Sequence, residues 1–220
     1  MSELNGGGNS IKVILLGESG VGKTNLINVS MGKGFEQNTV SSIHSSYLEG
    51  VMEYNDKEYS YSLWDTAGQE IYRSLNKIFI KGAKIVICVY AIDNKDSFQQ
   101  IEYWINNAKE TLGEDEKIIM AIIANKSDLF EEQVVPDEEG KKIANKYNIK
   151  FKLTSACSDA VGFKNFLKEL IIDYIKLIGP DEEATLNFKI SKKKVKEVEK
   201  KKRKFCLNYF CLMKILFYTD

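Results

Sequence analysis

The sequence predicts an α/β fold in three layers, with helices on both faces of a mostly parallel six-stranded sheet that has one antiparallel strand. Nearly continuous apolar runs at 84–92 and 118–124 are typical of strands buried on both faces of a parallel sheet. Segments with helical periodicity separate the strands, as right-handed crossovers require. Ligands in such folds bind at the carboxyl ends of the strands, so functional residues are expected there.

Each element follows from its local pattern. Residues 11–16 form a β-branched run, and the turn at 55–57 joins two strands into an antiparallel hairpin. Residues 96–99 resemble a capping box at a helix start, and the amphipathic helix 160–178 stops at Gly179. The predicted strands are 11–16, 47–54, 58–64, 84–92, 118–124 and 150–155, and the predicted helices are 24–31, 96–112, 136–147 and 160–178.

Charge is distributed unevenly along the chain. The 220 residues carry no net formal charge, yet residues 189–204 hold ten Lys or Arg against two Glu. We predict a flexible leader over 1–10, one domain over 11–178, and a flexible basic tail with an apolar, Cys-containing end over 179–220. A basic tail on an acidic body favours contact with a negatively charged surface.

The cysteine and histidine content excludes several kinds of site. The four cysteines form no CxxC pair, and His44 is the only histidine. We therefore expect neither a zinc site nor histidine-based acid–base catalysis. The apolar run 11–16 is too short for the core of a signal peptide, which favours a cytoplasmic protein with reduced thiols.

A glycine-rich segment at 17–24 fits a phosphate-binding loop. It matches G-x-x-x-x-G-K-[ST], follows a strand and opens a helix. Glycines let the backbone wrap a phosphate chain with its N–H groups directed at negative charge. Lys23 is expected to reach the β- and γ-phosphates, and the Thr24 hydroxyl to ligate Mg²⁺. The segment indicates a P-loop NTPase, without separating ATP from GTP, with nucleotide-binding residues Ser19, Gly20, Val21, Gly22, Lys23 and Thr24.

Residues 125–128 indicate which base is bound. Asn-Lys-Ser-Asp follows a predicted buried strand, and the Asp128 carboxylate can accept hydrogen bonds from guanine N1–H and its exocyclic amine. Adenine lacks that pair of donors, and leaving a buried carboxylate unpaired disfavours it strongly. Asn125 is expected to brace the loop, and the stem of Lys126 to pack on the base. These residues favour a guanine nucleotide over adenine.

Residues 64–70 are expected to supply the part of the site where the γ-phosphate is hydrolysed. Asp65 is expected to hold Mg²⁺ through a water, and the Gly68 N–H to bond the γ-phosphate while that phosphate exists. Gln69 is the predicted catalytic residue, because a glutamine there can orient the attacking water. Together with Thr24, these residues predict hydrolysis of GTP.

These motifs resemble those of the Ras superfamily of small GTPases. The resemblance rests on 17–24, 65–69, 125–128 and 154–156, which occur in the family's order over residues 11–178. It implies a GTP/GDP-regulated switch that uses Mg²⁺ and acts with an exchange factor, a GTPase-activating protein and effectors.

Within the superfamily, the chain most resembles the Rab group. The heptapeptide Trp-Asp-Thr-Ala-Gly-Gln-Glu at 64–70 is intact, and residues 71–75 and 81–83 are similar to the Rab sequence that follows it. No helix is inserted after Asp128, unlike in the Rho group. The Rab resemblance implies a role in vesicle trafficking.

The resemblance also implies a hydroxyl ligand for Mg²⁺ in the segment called switch I. Alignment without gaps puts Ser42 at that position, and Thr39 is the alternative. The same alignment puts Phe35 where the family stacks an aromatic ring on guanine. The loop 154–157 is similar to the family's third guanine loop, with Cys157 replacing a lysine. Its predicted nucleotide-binding residues are Ser155, Ala156 and Cys157.

The basic tail is the expected membrane contact. The stretch 189–204 would gain about 1 kcal/mol per basic residue near an anionic leaflet. Cys206 and Cys211 lie in an apolar segment without a C-a-a-X box, so lipidation, an interfacial anchor and a masking extension all stay open. We expect a monomer, peripheral on the cytosolic face of an intracellular membrane. Nucleic-acid binding is the rival interpretation of the basic stretch and is not expected.

The sequence thus predicts a Rab-like GTPase with slow intrinsic hydrolysis. Two alternatives remain within the family: a guanine-binding interaction module locked on one nucleotide, and a signalling GTPase outside trafficking. A P-loop ATPase or kinase is a further rival, but it would leave residues 125–128 without a function.

Overall fold

A computed structural model describes residues 10–36, 46–65, 73–113, 115–183, 186 and 188–190. Within these residues, no helix has the length and apolar character that crossing a bilayer demands.

Strands and helices alternate along the chain. The strands are β1 (Ile11–Leu16), β2 (Ser46–Tyr54), β3 (Lys57–Asp65), β4 (Ile85–Ala91), β5 (Ile119–Asn125), β6 (Lys150–Leu153) and β7 (Phe188–Ile190). The α-helices are α1 (Lys23–Ser30), α2 (Arg73–Ile80), α3 (Lys95–Gln99), α4 (Ile101–Leu112), α5 (Asp137–Tyr147) and α6 (Ala160–Glu183), and a 3₁₀ helix spans Ser127–Glu132. The main strand order is β2-β3-β1-β4-β5-β6, in which only β2 is antiparallel to its neighbour. This arrangement confirms the predicted fold class.

Two apolar clusters cover the two faces of the sheet. On one face, α1 and α6 pack through residues such as Leu26 and Phe163. On the other face, α2, α4 and α5 pack through residues such as Ile80, Trp104 and Ala144. Strand β4 is buried along its whole length because both clusters use its alternate side chains.

The structure corrects the predicted start of the helix at 96–112. A capping box at 96–99 was expected, but the Asn94 side chain is the cap and accepts a hydrogen bond from the Ser97 N–H at 2.9 Å. The helix therefore begins at Lys95, and Gln100 separates its first turn from α4. Asparagine caps a helix start as well as aspartate does, so the sequence offered two overlapping signals.

The end of the domain carries additional structure beyond the predicted stop. Gly179 has a positive φ of 78°, which interrupts α6 where the sequence predicted its end. One further turn reaches Glu183, and β7 then pairs antiparallel with Lys57–Tyr59 of β3. Leu186 packs on the apolar cluster of α1 and α6. The flexibility predicted for the rest of the tail concerns residues outside the described ranges.

The parallel strands β1, β3, β4, β5 and β6 all end at one edge of the sheet. The strand register brings the loops after these strands together, because Leu15 lies beside Asp65 and Ala91 lies beside Asn125. The motifs singled out in the sequence follow these strand ends. The fold therefore gathers them at one place.

Candidate functional site

The Lys23 side chain crosses the loop between β1 and α1. Its ammonium group donates hydrogen bonds to the carbonyl oxygens of Gly17 and Glu18, both at 2.8 Å. The residue is only 5% exposed. Burial lowers the pKa of this ammonium to about 8, and the carboxylates of Asp65 and Glu18 oppose that shift. A poorly hydrated cation held in a glycine-rich loop is suited to an anionic phosphate.

Asn125 joins the phosphate-loop segment to the loop after β6. It ends β5, is 1% exposed, and donates from Nδ2 to the Val21 carbonyl oxygen at 2.7 Å. Its Oδ1 accepts from the Ala156 N–H at 3.1 Å. Both ends of one buried amide are therefore used to hold loops that come from β1 and β6.

Asp128 and Ser155 meet at the same edge. The Ser155 hydroxyl donates to Asp128 Oδ1, and the hydroxyl oxygen accepts from the N–H groups of Cys157 and Ser158, each at 3.0 Å. Ser155 is fully buried, whereas Cys157 is exposed. The hydroxyl thus fixes the carboxylate and orders the loop after β6.

Lys126 lies between these loops with a left-handed backbone, at φ 67°. The next N–H, that of Ser127, donates to the Thr154 carbonyl at 3.1 Å. The Lys126 ammonium forms an ion pair with Asp93 Oδ2 at 3.0 Å. Asp93 follows β4, so this pair links the ends of neighbouring strands.

The residues predicted to hold Mg²⁺ fit a hard cation where the structure describes them. The Thr24 hydroxyl donates to Asp65 Oδ2 at 2.7 Å, and Asp65 is 2% exposed. A hydroxyl and a carboxylate oxygen are the donors that Mg²⁺ takes, together with waters and phosphate oxygens. Within the described residues, no group of three or more His, Cys, Asp or Glu forms a protein-only metal cage. The arrangement suits a cation shared with a phosphate ligand.

Between α1 and switch I, the Asn25 side chain holds the backbone of Glu36 in a polar clamp that the sequence did not suggest. Asn25 Nδ2 donates to the Glu36 carbonyl at 3.0 Å, and Asn25 Oδ1 accepts from the Glu36 N–H at 3.3 Å. This pair of bonds fixes the backbone beside Phe35, whose side chain is 42% exposed. The aromatic ring predicted to stack on a base is therefore held at an accessible position.

Several predicted site residues lie outside the described part of the chain. They are the catalytic Gln69, the γ-phosphate contact Gly68, and both switch I candidates, Ser42 and Thr39. His44 and the tail cysteines Cys206 and Cys211 also lie there. Their assignments stay predictions.

Sequence reasoning missed Asp93 and Asn25. A signal for Asp93 was available, because it follows an apolar strand at its carboxyl end, where this fold places functional groups. Asn25 gave no comparable signal, since its partners are backbone atoms eleven residues away.

The described residues of these loops place hydrogen-bond donors and acceptors at one edge of the sheet. Buried Lys23 and the loop N–H groups suit phosphates, and Thr24 with Asp65 suits a divalent cation. Asp128 presents a carboxylate acceptor for a base. This set of groups fits a nucleoside polyphosphate with its cation.

A comparison with protein-family models supports the same conclusion. A model described as the Ras family matches residues 12–176, which is most of the chain and includes every described residue of the site. The chain therefore belongs to the Ras family of small GTPases, which bind guanine nucleotides and hydrolyse GTP.

Proposed function

We propose that this chain is a GTP/GDP-regulated switch of the Rab type that acts in membrane trafficking. The observation that carries the switch itself is the common edge at which Lys23, Thr24, Asp65, Asn125 and Asp128 meet. In this proposal residues 19–24 hold the phosphates, and Thr24, Ser42 and Asp65 hold Mg²⁺. Asp128 reads guanine with the N–H groups of the loop after β6.

Hydrolysis is proposed to depend on Gln69, which orients the attacking water. When bound, Mg²⁺ would neutralise charge that develops on the phosphate oxygens. The Gly68 N–H holds the γ-phosphate, so its loss releases the segments around Ser42 and Gly68. Intrinsic turnover is expected on the order of 10⁻⁴ to 10⁻³ s⁻¹, the range of a GTPase that acts without an arginine finger. An activating protein would supply it.

Partner recognition is proposed to use the hairpin between the switch segments. Tyr47 is 47% exposed and stacks on Trp64, with ring centroids 5.0 Å apart. The Lys12 ammonium lies 4.3 Å from the Trp64 ring centroid. Trp64 is buried, so Tyr47 is the exposed aromatic residue of this pair. Exposed aromatic residues are typical of protein contacts, and the neighbouring segments of the chain are those that nucleotide state would alter.

The trafficking part of the proposal rests on the Rab-like motifs and on the basic stretch at 189–204. That stretch is proposed to meet an anionic membrane on the cytosolic side, with the domain acting as a monomer. Full-length protein should therefore sediment with anionic vesicles. A variant cut after Arg203 loses the apolar segment and should bind less, and one cut after Ile190 also loses most of the basic stretch and should bind least. Equal recovery of all three chains in the soluble fraction would contradict membrane attachment.

The decisive experiment measures nucleotide binding and phosphate release with guanine and adenine nucleotides. We expect GTP-selective turnover that Gln69→Leu abolishes while GTP binding persists. Ser42→Ala and Thr39→Ala are compared in parallel, and the variant that loses Mg²⁺-dependent GTP affinity identifies the switch I ligand. Tight guanine binding without turnover would instead favour a nucleotide-locked interaction module. No preference for guanine would overturn the proposal.

A further inference from the structure

Asp93 is placed to act on the nucleotide site although it lies outside its recognised motifs. Its Oδ2 is 3.0 Å from the Lys126 ammonium, and the Asp93 and Lys126 side chains are 18% and 31% exposed. The other oxygen, Oδ1, is buried and accepts no hydrogen bond from any described residue. One carboxylate oxygen is therefore committed to the lysine of the base-binding loop.

Backbone hydrogen bonds of the preceding residue hold Asp93 in place. The preceding residue, Ile92, donates its N–H to the Asn125 carbonyl at 3.1 Å, and its own carbonyl accepts from Val134 at 2.9 Å. Strands β4 and β5 are neighbours with Ala91 beside Asn125. The carboxylate is thus fixed relative to the loop that begins at Asn125, while the long Lys126 side chain is intrinsically mobile.

We propose that Asp93 is a positioning residue that holds the Lys126 side chain along the guanine-binding edge. Held in this way, the methylene stem of Lys126 forms one wall of the base site before nucleotide arrives. The inference rests on the proposed guanine-nucleotide binding. It assigns Asp93 to retention of the nucleotide and leaves selection of the base to Asp128.

An ordinary surface ion pair would not have this effect. The chain offers a matched comparison in Glu102 and Lys146, whose charged atoms are 2.8 Å apart and whose side chains are 40% and 59% exposed. That pair links α4 to α5 away from the strand ends. Exposed pairs of this type contribute little to folding. If only the Asp93–Lys126 pair affects nucleotide retention, the effect therefore depends on the place of that pair beside the base-binding loop.

The test follows dissociation of a fluorescent GDP analogue from full-length protein. Asp93→Asn keeps the shape of the side chain and removes its charge, and it should speed dissociation about 3- to 10-fold, the cost of immobilising one long side chain on binding. Asp93→Glu should restore part of the retention. Glu102→Gln, the matched control, should leave the rate unchanged, and melting of the GDP-bound variants checks that all are folded.

Two further readouts separate positioning from a general structural role. In a Lys126→Met background, Asp93→Asn should have no additional effect, because the side chain it holds is gone. The ratio of GDP to IDP affinity should stay as in wild type for Asp93→Asn, since inosine lacks only the exocyclic amine that Asp128 reads. Asp128→Asn should change that ratio.

The outcomes are distinct. Wild-type retention in Asp93→Asn, an equal effect in the Lys126→Met background, or an equal effect of Glu102→Gln would each overturn the assignment of Asp93. A wild-type protein without guanine preference would instead overturn the proposed function on which it rests.

Discussion

Gly22 lies against the side chain of Asn125, and a Cβ on Gly22 would be 2.4 Å from Asn125 Nδ2. This approach brings the helix start of the phosphate loop onto the end of β5. Because Nδ2 already donates to the Val21 carbonyl, it has no room to retreat without breaking that bond. The two loops that are proposed to bind opposite ends of the nucleotide are therefore packed directly together.

We expect Gly22→Ala to weaken GDP binding by at least about tenfold, because the Cβ displaces Asn125 in addition to straining a backbone with φ +93°. Gly82→Ala is the matched control: its φ is +76°, and nothing lies within 4 Å of the new Cβ. Gly82→Ala should lose about 1–2 kcal/mol of folding stability through backbone strain, and Gly22→Ala should lose more because its Cβ also displaces Asn125. Only Gly22→Ala should lose affinity, as measured by nucleotide titration.

The mechanism has its own check. If the Cβ acts through Asn125, then Asn125→Ala should weaken binding by itself, and adding Gly22→Ala should change affinity little further. Additive losses would show that Gly22 acts through backbone strain alone.

Thr24→Ala should make nucleotide retention insensitive to Mg²⁺. The hydroxyl donates to Asp65 Oδ2 at 2.7 Å, so its loss disturbs two of the three predicted protein contacts to the cation. Hydrogen bonds to charged groups contribute about 1.5–3 kcal/mol, which corresponds to roughly 10- to 100-fold in affinity. The measurement is GDP dissociation with Mg²⁺ and with a chelator. The wild type should accelerate in chelator, whereas Thr24→Ala should be fast in both.

Two variants test whether this effect is specific. Thr24→Ser keeps the hydroxyl and should keep most of the chelator response. Thr111→Ala removes a hydroxyl that bonds the Asn107 carbonyl within α4, and it should leave the response intact. A full chelator response in Thr24→Ala would mean that Thr24 does not hold the cation.

The sequence was most informative where a motif with recognisable chemistry directly follows a predicted strand. Residues 17–24 and 125–128 could be assigned because each motif follows an apolar strand, and the fold then brings strand ends together. The helix at 73–80 was not predicted, because no Ser, Thr, Asp or Asn directly precedes it in the sequence to signal a helix start.

Partners distant in sequence were the harder part. The bond between Lys126 and Asp93 joins residues 33 positions apart, and nothing local to either residue specifies it. The same is true of Glu183 and Lys57, which are 126 positions apart. Propensity and periodicity describe neighbours along the chain, whereas these contacts depend on strand order and on the path of the last helix.

Proton uptake should accompany GDP binding at alkaline pH. Burial lowers the pKa of Lys23 to about 8. A phosphate beside the ammonium raises the pKa of Lys23 again. At a pH above about 8, GDP binding must therefore be accompanied by uptake of a proton on Lys23. Affinity should be constant below about pH 8 and then fall by up to about tenfold per pH unit. Calorimetry in buffers of different ionisation enthalpy measures the proton directly.

Guanosine supplies the control because it carries the same base without phosphates. Its affinity should not show the dependence attributed to Lys23, so the difference between GDP and guanosine isolates the phosphate contact. For the nucleotide-free protein, folding stability changes with pH in the opposite direction to GDP affinity. Raising the pH from about 8 toward 10.5 removes the cost of burying the charged form and makes the folded state relatively more stable. Equal pH profiles for GDP and guanosine would contradict this role of Lys23.

The turn after Gly179 should contribute measurably to folding through Glu183. Its carboxylate accepts hydrogen bonds from Lys57 at 2.7 Å and from the Tyr59 hydroxyl, where the hairpin strand β3 begins. Glu183→Gln removes the charge and should cost about 1 kcal/mol or less, because Lys57 is 37% exposed. Glu183→Ala also removes one acceptor of the Tyr59 hydroxyl and should cost about 1–3 kcal/mol. Urea unfolding at fixed GDP measures both.

The neighbouring Glu182 makes this test specific. It pairs with Lys117 at 2.6 Å, but both side chains are about half exposed, so Glu182→Gln should be close to neutral. The contacts of Lys57 and then Tyr59 hold the pKa of Glu183 below its usual value. Its contribution is therefore present above about pH 4.5 and is lost as the pH falls through the lowered value. If Glu183→Ala is no more destabilising than Glu182→Gln, the last turn of α6 does not hold the end of the domain against β3.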